Sequence, residues 1–432
     1  MTASKPAAAP AAIPGSRPLS ISNARAPRRA LVCLCATLAL VAAWLGHAPA
    51  ASAELPTIDT SAQQAILIDF DTGAVLFAKN ADQRMAPSSM AKMMTLYILF
   101  SRLKEGRIKL DDTLPVSEKA WRTGGSKMFV MVGSRVTVQN LIQGIAVQSG
   151  NDACIVVAEG LDGTEQAFAD EMNRTARQLG MINSHFVDAS GLPDPDQYVT
   201  ARDLSILARD LIKQFPEYYH YFNEIDFTYN GIKQGNRNPL LYYKDIGDGI
   251  VVDGVKTGHT EQGGYGLTAS GVHNGRRLLV VLNGMQSVNE RAREGEKLLD
   301  WGFREWGDYA LFKSNEKMGD ADVWLGDQPT VPLIADHALT VTLPRASRDK
   351  MKVTLVYDNP IPAPIKMGAV VGKIVVEAPD AKTEEVALRA GASVGRLGFM
   401  GRIGAAVRYL VYGGPPMTAG PTPAPAGGAP KK

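Results

Sequence analysis

The chain has 432 residues, 45% of them apolar and 21% charged, a globular composition that excludes a mostly disordered chain or a collagen-like repeat. At this length more than one domain is expected. The formal charge is only +2, without the basic surplus of a nucleic-acid binder, so no nucleic-acid partner is expected.

Residues 1–53 carry five basic side chains (Lys5, Arg17, Arg25, Arg28, Arg29) and no acid, and without them the balance is 41 basic to 44 acidic. A Pro- and Ala-rich leader ends in Arg28-Arg29; an apolar run from Ala30 to Gly46 follows, closed by Ala51-Ser52-Ala53. This reads as a secretory signal over residues 1–53, the alternative being an uncleaved membrane anchor. Two of the three cysteines, Cys33 and Cys35, fall inside it. The exported chain then holds only Cys154 and can form no internal disulfide, which suits a bacterial envelope protein. Cys154 stands among Ala153, Ile155, Val156 and Val157, where burial without a catalytic role is expected.

Residues 64–77 predict two short strands joined by Asp71-Thr72-Gly73, a hairpin signal. Pro87 introduces a helix over 89–103, with Met90, Met93, Met94, Tyr97 and Ile98 at helical spacing. Further helices are expected at 138–148, 151–161, 164–179, 200–214 and 291–306, and strands at 265–272 and 278–285. A hairpin, a helical block and closing strands make one α/β domain over 54–308. Short alternating runs at 330–346, 351–357, 369–377 and 385–388 then predict a small all-β domain over 309–392. In 393–414, Phe399, Met400, Ile403, Val407, Leu410 and Val411 share one helical arc flanked by Arg402 and Arg408, and no acid occurs after residue 386. That pattern predicts a helix lying on an anionic membrane surface, the alternative being a helix docked on the β domain. Residues 415–432, rich in Pro, Gly and Ala, read as a disordered tail.

Three short motifs carry the chemistry: Ser89-Met90-Ala91-Lys92, Ser149-Gly150-Asn151 and Lys256-Thr257-Gly258. Ser89 and Lys92 share a helical face near the positive end of the helix dipole. A serine hydroxyl needs a base, and Lys92 can serve if burial and a second cation, Lys256, lower its pKa; alone, it would read as a solvated helix lysine. Gly150 permits a tight turn that points Ser149 and Asn151 into a cleft, though Asn151 could equally cap the following helix. Lys256 opens a strand whose backbone can pair with an extended peptide, leaving the peptide's carboxylate to face Lys256 and Thr257. Gly258 is expected to keep that strand clear of the ligand.

Together the motifs resemble the active-site set of serine penicillin-recognising enzymes, and among them the D-alanyl-D-alanine carboxypeptidases of the low-molecular-mass penicillin-binding protein 5 type. The resemblance extends through Pro87-Ser88-Ser89-Met90-Ala91-Lys92-Met93-Met94-Thr95, Gln148-Ser149-Gly150-Asn151-Asp152-Ala153, Asp253-Gly254-Val255-Lys256-Thr257-Gly258-His259-Thr260 and Lys297-Leu298-Leu299-Asp300-Trp301-Gly302-Phe303. It implies a serine β-lactamase/transpeptidase-like α/β fold with a sheet flanked by helices, then a small all-β domain and a C-terminal amphipathic helix.

The activity it implies is removal of the terminal D-alanine from peptidoglycan stem peptides ending in D-Ala-D-Ala, through an acyl-enzyme on Ser89 that β-lactams also form. Lys92 would be the base, Ser149 the proton relay to the leaving amine, and Asn151 a contact to the substrate amide and the lysine. Lys256, Thr257 and Gly258 would line the substrate strand, with the oxyanion held by the N–H groups of Ser89 and His259. Arg237 and Arg291 match family positions; either could hold the terminal carboxylate, surface ion pairing being the alternative. No metal or cofactor is expected, and the implied location is the periplasmic face of the bacterial inner membrane. The rivals are a D,D-endopeptidase using the same residues and a peptidoglycan-binding morphology protein with incidental activity. A β-lactamase is disfavoured, because no Glu-x-x-Leu-Asn stands between the second and third motifs.

Overall fold

The computed structural model describes residues 57–379, 381–412 and 422–423. The segment read as a signal, and the tail apart from Thr422 and Pro423, lie outside the described residues. The expected hairpin is β1 (Gln64–Asp69) with β2 (Val75–Lys79). Asp69 closes its turn, Oδ1 accepting from the N–H groups of Asp71 and Thr72 at 3.0 and 2.9 Å. A 3-10 turn, Ser88–Ala91, runs into α1 (Lys92–Lys104).

Next come β3 (Thr113–Pro115), α2 (Glu118–Arg122), β4 (Arg135–Thr137), α3 (Val138–Ala146), α4 (Asn151–Asp162), α5 (Glu165–Leu179), α6 (Ala201–Gln214) and α7 (Pro216–Tyr219). A small hairpin, β5 (Asp226–Tyr229) with β6 (Ile232–Gly235), precedes β7 (Val251–Thr260), β8 (Gly264–His273), β9 (Arg276–Met285) and α8 (Val288–Glu305). Helix starts follow side-chain caps: Thr137, Thr164, Thr200 and Ser287 each accept the N–H three residues on. The Ser287 cap starts α8 three residues before the expected position 291.

The central sheet has the order β2-β1-β9-β8-β7, every neighbouring pair antiparallel. Its apolar runs are buried on both faces. Ile66, Ile68, Leu279 and Val281 face the helices α1 and α3 to α7, while Leu67, Leu278, Val280 and Leu282 face α8. On α8, Gly295 and Gly302 are glycine for space: a Cβ there would lie 2.8 Å from Leu267 and 2.6 Å from Leu67. One strand departs from expectation. The third motif lies in the second half of β7, which already runs from Val251.

The second domain holds β10 (Trp306–Phe312), β11 (Lys317–Trp324), β12 (Thr330–Ala335), β13 (Leu339–Pro344), β14 (Lys352–Tyr357), β15 (Ile361–Pro362), β16 (Val370–Glu377) and β17 (Glu384–Ala390). After these come α9 (Phe399–Tyr412) and β18 (Thr422–Pro423). Its main sheet, ordered β15-β11-β12-β17-β16-β14-β18, closes over Leu333, Leu355, Ile374 and Leu388. On α9 the whole predicted apolar arc is exposed, Phe399 at 76% and Leu410 at 82%; the Arg408 side chain lies outside the described residues.

Arg276 ties the two domains together. Its Nε stands 3.1 Å from Asp69 and 2.9 Å from Asp308, and its Nη1 donates to Trp306 O at 2.8 Å. Thr342 donates to Asp308 at 2.8 Å and lies 2.6 Å from Thr72. Arg276→Ala would strand the fully buried Asp69 carboxylate and is expected to cost about 3 kcal/mol. Arg276→Lys should recover only part of this, because an ammonium cannot reproduce the guanidinium fork. Denaturant midpoints of the three proteins check it; an unchanged midpoint for Arg276→Ala would contradict it.

Candidate active site

Ser89 sits in the 3-10 turn, and Lys92 is the first residue of α1, one turn further on. Ser88 just before them is left-handed, with φ +49°, and its carbonyl is approached closely by Gly191. A Cβ on Gly191 would lie 1.8 Å from Ser88 O, at a φ of +81°. Lys92 is fully buried. Its Nζ reaches three oxygens: Ser89 Oγ at 2.8 Å, Asn151 Oδ1 at 2.8 Å and Ser190 O at 2.6 Å.

Two of these oxygens can only accept a proton. Asn151 is fixed in orientation because its Nδ2 donates to Gly124 O at 2.8 Å, so Oδ1 faces the amine. A neutral amine with its two N–H groups on Asn151 Oδ1 and Ser190 O has one direction left for its lone pair, toward the Ser89 hydroxyl. The neutral form is favoured by burial, which holds Lys92 below the ordinary lysine value against the pull of Cys154, Asp188 and Asp152. Cys154 is buried as expected, its thiol pushed up to about 12 by burial.

The second motif is built differently from the expectation. Ser149, not Gly150, is left-handed, at φ +60°, whereas Gly150 has φ −61°. Gly150 is glycine for room: a Cβ would lie 2.8 Å from Asp152 Oδ1 and 3.1 Å from Met128 N. Nor does the Asn151 side chain cap α4, since it is turned to Lys92 and Gly124. The fully buried Asp152 accepts the N–H groups of Met128, Phe129 and Val130 at 2.9, 2.9 and 3.1 Å. It thereby anchors the loop whose Ser126 carbonyl accepts the Asn151 N–H at 2.7 Å.

Lys256 points inward from β7 and donates to Ser149 Oγ at 3.0 Å and Thr257 O at 3.2 Å. Burial first, then the charges of Lys92, Arg291 and Arg237, push it well below the ordinary lysine value. β7 is an edge strand of the sheet, so its outer main-chain groups are available to an extended ligand. Gly258, on the cavity wall, has a further reason to be glycine. A Cβ there would meet Ser88 Cβ at 2.9 Å, so this glycine seats β7 against the serine turn.

A cavity of about 610 Å³ opens over these groups, lined by Ser89, Ser149, Thr257, Gly258, His259, Arg237 and Arg291. Lys92 and Asn151 are buried behind Ser89. No acidic side chain is found among the described lining residues. Arg237 is exposed at the rim. Arg291 is buried, its guanidinium donating to Gly258 O and Gly266 O at 3.4 Å and to Arg237 O at 3.0 Å. Burial lowers its pKa to about 10, and it stands on the cavity wall as a largely buried cation. The His259 ring stacks on Tyr265, centroids 4.0 Å apart.

Sequence reasoning missed Ser126, Asn236, Tyr242, Tyr243 and Tyr265 on the wall and the Ser190 carbonyl behind Lys92. Tyr265 was within reach, because it faces His259 across the β7–β8 register. Asn236 adjoins Arg237, Tyr242 and Tyr243 end and follow a 3-10 turn, and Ser126 and Ser190 come from loops distant from the three motifs.

Comparison with known proteins agrees with this geometry. Residues 49–286 match the family model described as D-alanyl-D-alanine carboxypeptidase, and residues 306–396 match the penicillin-binding protein 5 C-terminal domain. The D-alanyl-D-alanine carboxypeptidase DacA of Haemophilus influenzae is 37% identical over 79% of this chain and 88% of its own length. DacC of Escherichia coli is 38% identical over 81% of this chain and 88% of its own. The crystal structure of penicillin binding protein 5 from Haemophilus influenzae superposes with a TM-score of 0.72 at 36% identity, covering 79% of this chain and 99% of that one.

Gly191→Ala tests how tightly the serine turn is held. The added methyl must displace Ser88 O, and the strained φ adds to the cost; covalent labelling by penicillin should fall by at least about tenfold, with a lowered melting temperature. Labelling at the normal rate would show that the Ser88 turn tolerates displacement.

Proposed function

This chain belongs to the D-alanyl-D-alanine carboxypeptidase family and is a serine-type D-Ala-D-Ala carboxypeptidase, and we propose that Ser89 is its nucleophile and Lys92 its general base. The observation that carries this assignment is the lone-pair direction left by Asn151 Oδ1 and Ser190 O around Lys92 Nζ. Ser89 Oγ attacks the carbonyl carbon between the two D-alanines while its proton passes to Lys92. The oxyanion is held by the N–H groups of Ser89 and His259. The hydrogen-bonded pair Lys256–Ser149 lies on the path that returns a proton to the leaving amine, and Asn151, off the cavity wall, holds Lys92 in place of the substrate contact expected of it. D-Alanine departs, and water then hydrolyses the ester on Ser89.

Substrate placement follows from the cavity walls. An extended stem peptide adds to the edge of β7, with its terminal carboxylate toward Thr257, Lys256 and the exposed Arg237, and Arg291 adding charge from the wall. Penicillins carry a carboxylate and an acylating amide and enter the same site; relatives of this chain are named penicillin-binding proteins. The relatives' carboxypeptidase names favour this reading over the endopeptidase and the non-catalytic alternatives.

The location proposed is peripheral, on the periplasmic face of the inner membrane, after export through the leader. Among the described residues no helix is long and apolar enough to cross a membrane. The exposed arc of Phe399, Met400, Ile403, Val407, Leu410 and Val411 is the feature that suits burial at a bilayer surface.

Three measurements bear on these proposals. Penicillin should add its mass once, on the peptide containing Ser89, and Ser89→Ala and Lys92→Arg should both abolish the adduct. The rate of adduct formation should rise with pH as Lys92 loses its proton and level off below the ordinary lysine value of 10.5; a rising limb centred at the ordinary value would remove the buried amine as base. Deleting residues 395–432 should release the protein from anionic vesicles while leaving hydrolysis of a small soluble peptide intact. Equal sedimentation of both forms would refute the membrane assignment.

A further inference from the structure

The Ser190 carbonyl that directs Lys92 is held by side chains outside the cavity. It belongs to the turn at 188–192, between α5 and α6. Asp188 Oδ1 accepts from Ser190 N at 2.6 Å, Ser190 Oγ at 2.8 Å and Gly191 N at 2.7 Å. Asp188 Oδ2 accepts from Gln197 Nε2 at 2.6 Å. The same Gln197 nitrogen donates to Leu192 O at 2.7 Å, while its Oε1 accepts from the N–H groups of Val187 and Asp188 at 3.0 and 3.2 Å.

Gln197 is buried at 3% exposure and Asp188 is half-buried. The turn is also pinned to the neighbouring helices. Thr95 of α1 donates to Ala189 O at 2.5 Å, and Ala189 N donates to Glu165 of α5 at 3.2 Å. The N–H groups of Ala189, Ser190 and Gly191 and the carbonyl of Ala189 are thus all tied around Ser190 O, which fixes its direction.

We propose that Asp188, braced by Gln197, is the positioning residue of this enzyme: by fixing the Ser190 carbonyl it aims the lone pair of Lys92 at Ser89. The inference rests on the assignment of Lys92 as base. Removing the Asp188 acceptors frees the carbonyl to swing, and the amine can then turn an N–H toward Ser89 in place of its lone pair. Asp188 does not line the cavity, so ligand binding before the chemical step is untouched.

Asp188 also carries charge. The groups facing the Lys92 amine are Asp188 on this turn, Asp152 and Cys154 on α4, and Lys256 on β7. Asp188 in turn faces Lys119 of α2, whose ammonium pairs with Glu165 at 2.7 Å. Removing the negative charge at 188 makes the Lys92 ammonium less stable. The free amine is then present at lower pH, and the rising limb of the acylation profile moves toward acid.

The test is the pre-steady-state acylation of the full chain by penicillin, resolved into noncovalent binding and the covalent rate, over a range of pH. Asp188→Ala is expected to lower the covalent rate by about a hundredfold with binding unchanged, the penalty of a misaimed catalytic group. Asp188→Asn should recover the rate only to about the level of Gln197→Ala, since its Oδ1 accepts the same N–H bonds while its Nδ2 faces the Gln197 Nε2 donor and loses the brace, and it should move the limb to lower pH. Gln197→Ala should lower the rate by about tenfold without moving the limb, since it loosens the brace and removes no charge.

Wild-type rate in Asp188→Ala, or Asp188→Asn and Asp188→Ala equally slow with an unmoved limb, would overturn the proposal. If Asp188→Ala fails to fold, Asp188→Asn and Gln197→Ala decide it by the same limb and rate. Lys92→Arg is run alongside. Acylation by that variant would mean that the assignment of the base has failed, whereas an inert Lys92→Arg with normal Asp188 and Gln197 variants would mean that only the brace has failed.

Discussion

The amine we propose as the base has to be kept from its preferred charged state, and this protein buries Lys92 completely among neutral acceptors. A carboxylate within hydrogen-bond reach would hold the proton on the lysine. Lys92 Nζ instead bonds to a hydroxyl, an amide oxygen and a main-chain carbonyl. The second buried lysine, Lys256, has its pKa lowered by burial and by the charge of Lys92, and it bonds to Ser149. Burial of two such groups opposes folding, so the surroundings must be stiff enough to hold them without relaxing toward water.

That stiffness comes from close backbone approaches and buried carboxylates. Gly191 and Gly258 let two separate segments press on the Ser88 turn from different sides. Asp152 and Asp188 each gather several main-chain N–H groups, and each thereby fixes a loop that supplies a carbonyl to the site: Ser126 in one case, Ser190 in the other. The acids of this active site therefore work on the backbone, leaving the described cavity walls without a carboxylate.

Much of this was legible in the sequence because it is local. The β1–β2 hairpin, the apolar runs of β8 and β9 and the helices begun by Thr164 and Thr200 are written in spacings of two and of three to four residues. Motif order also pointed to the residues that converge on the cavity. What was not legible depends on contacts across the chain. β7 was expected too late because Asp253-Gly254 interrupts its apolar pattern. Ser149 takes a conformation that glycine usually supplies, and Gly150 yields space instead, which no spacing rule reveals. Ser190 meets Lys92 from 98 positions away, through a carbonyl that carries no side-chain signature.

The pairing of β1 with β9 governs the order in which the enzyme can come into being. Residues 64–69 find their partners at 278–283, so the middle of the sheet stays open until nearly the whole first domain exists. Contacts of such long range are slow to close, because chain entropy is lost before any contact repays it. The helix that covers one face of the sheet, α8, begins later still and carries two glycines on its packing side, a weak helix in isolation. Ser89 and Lys256 are therefore brought together by pairings that span most of the first domain. A nascent chain thus lacks a complete catalytic centre until β7 to β9 have been made and paired.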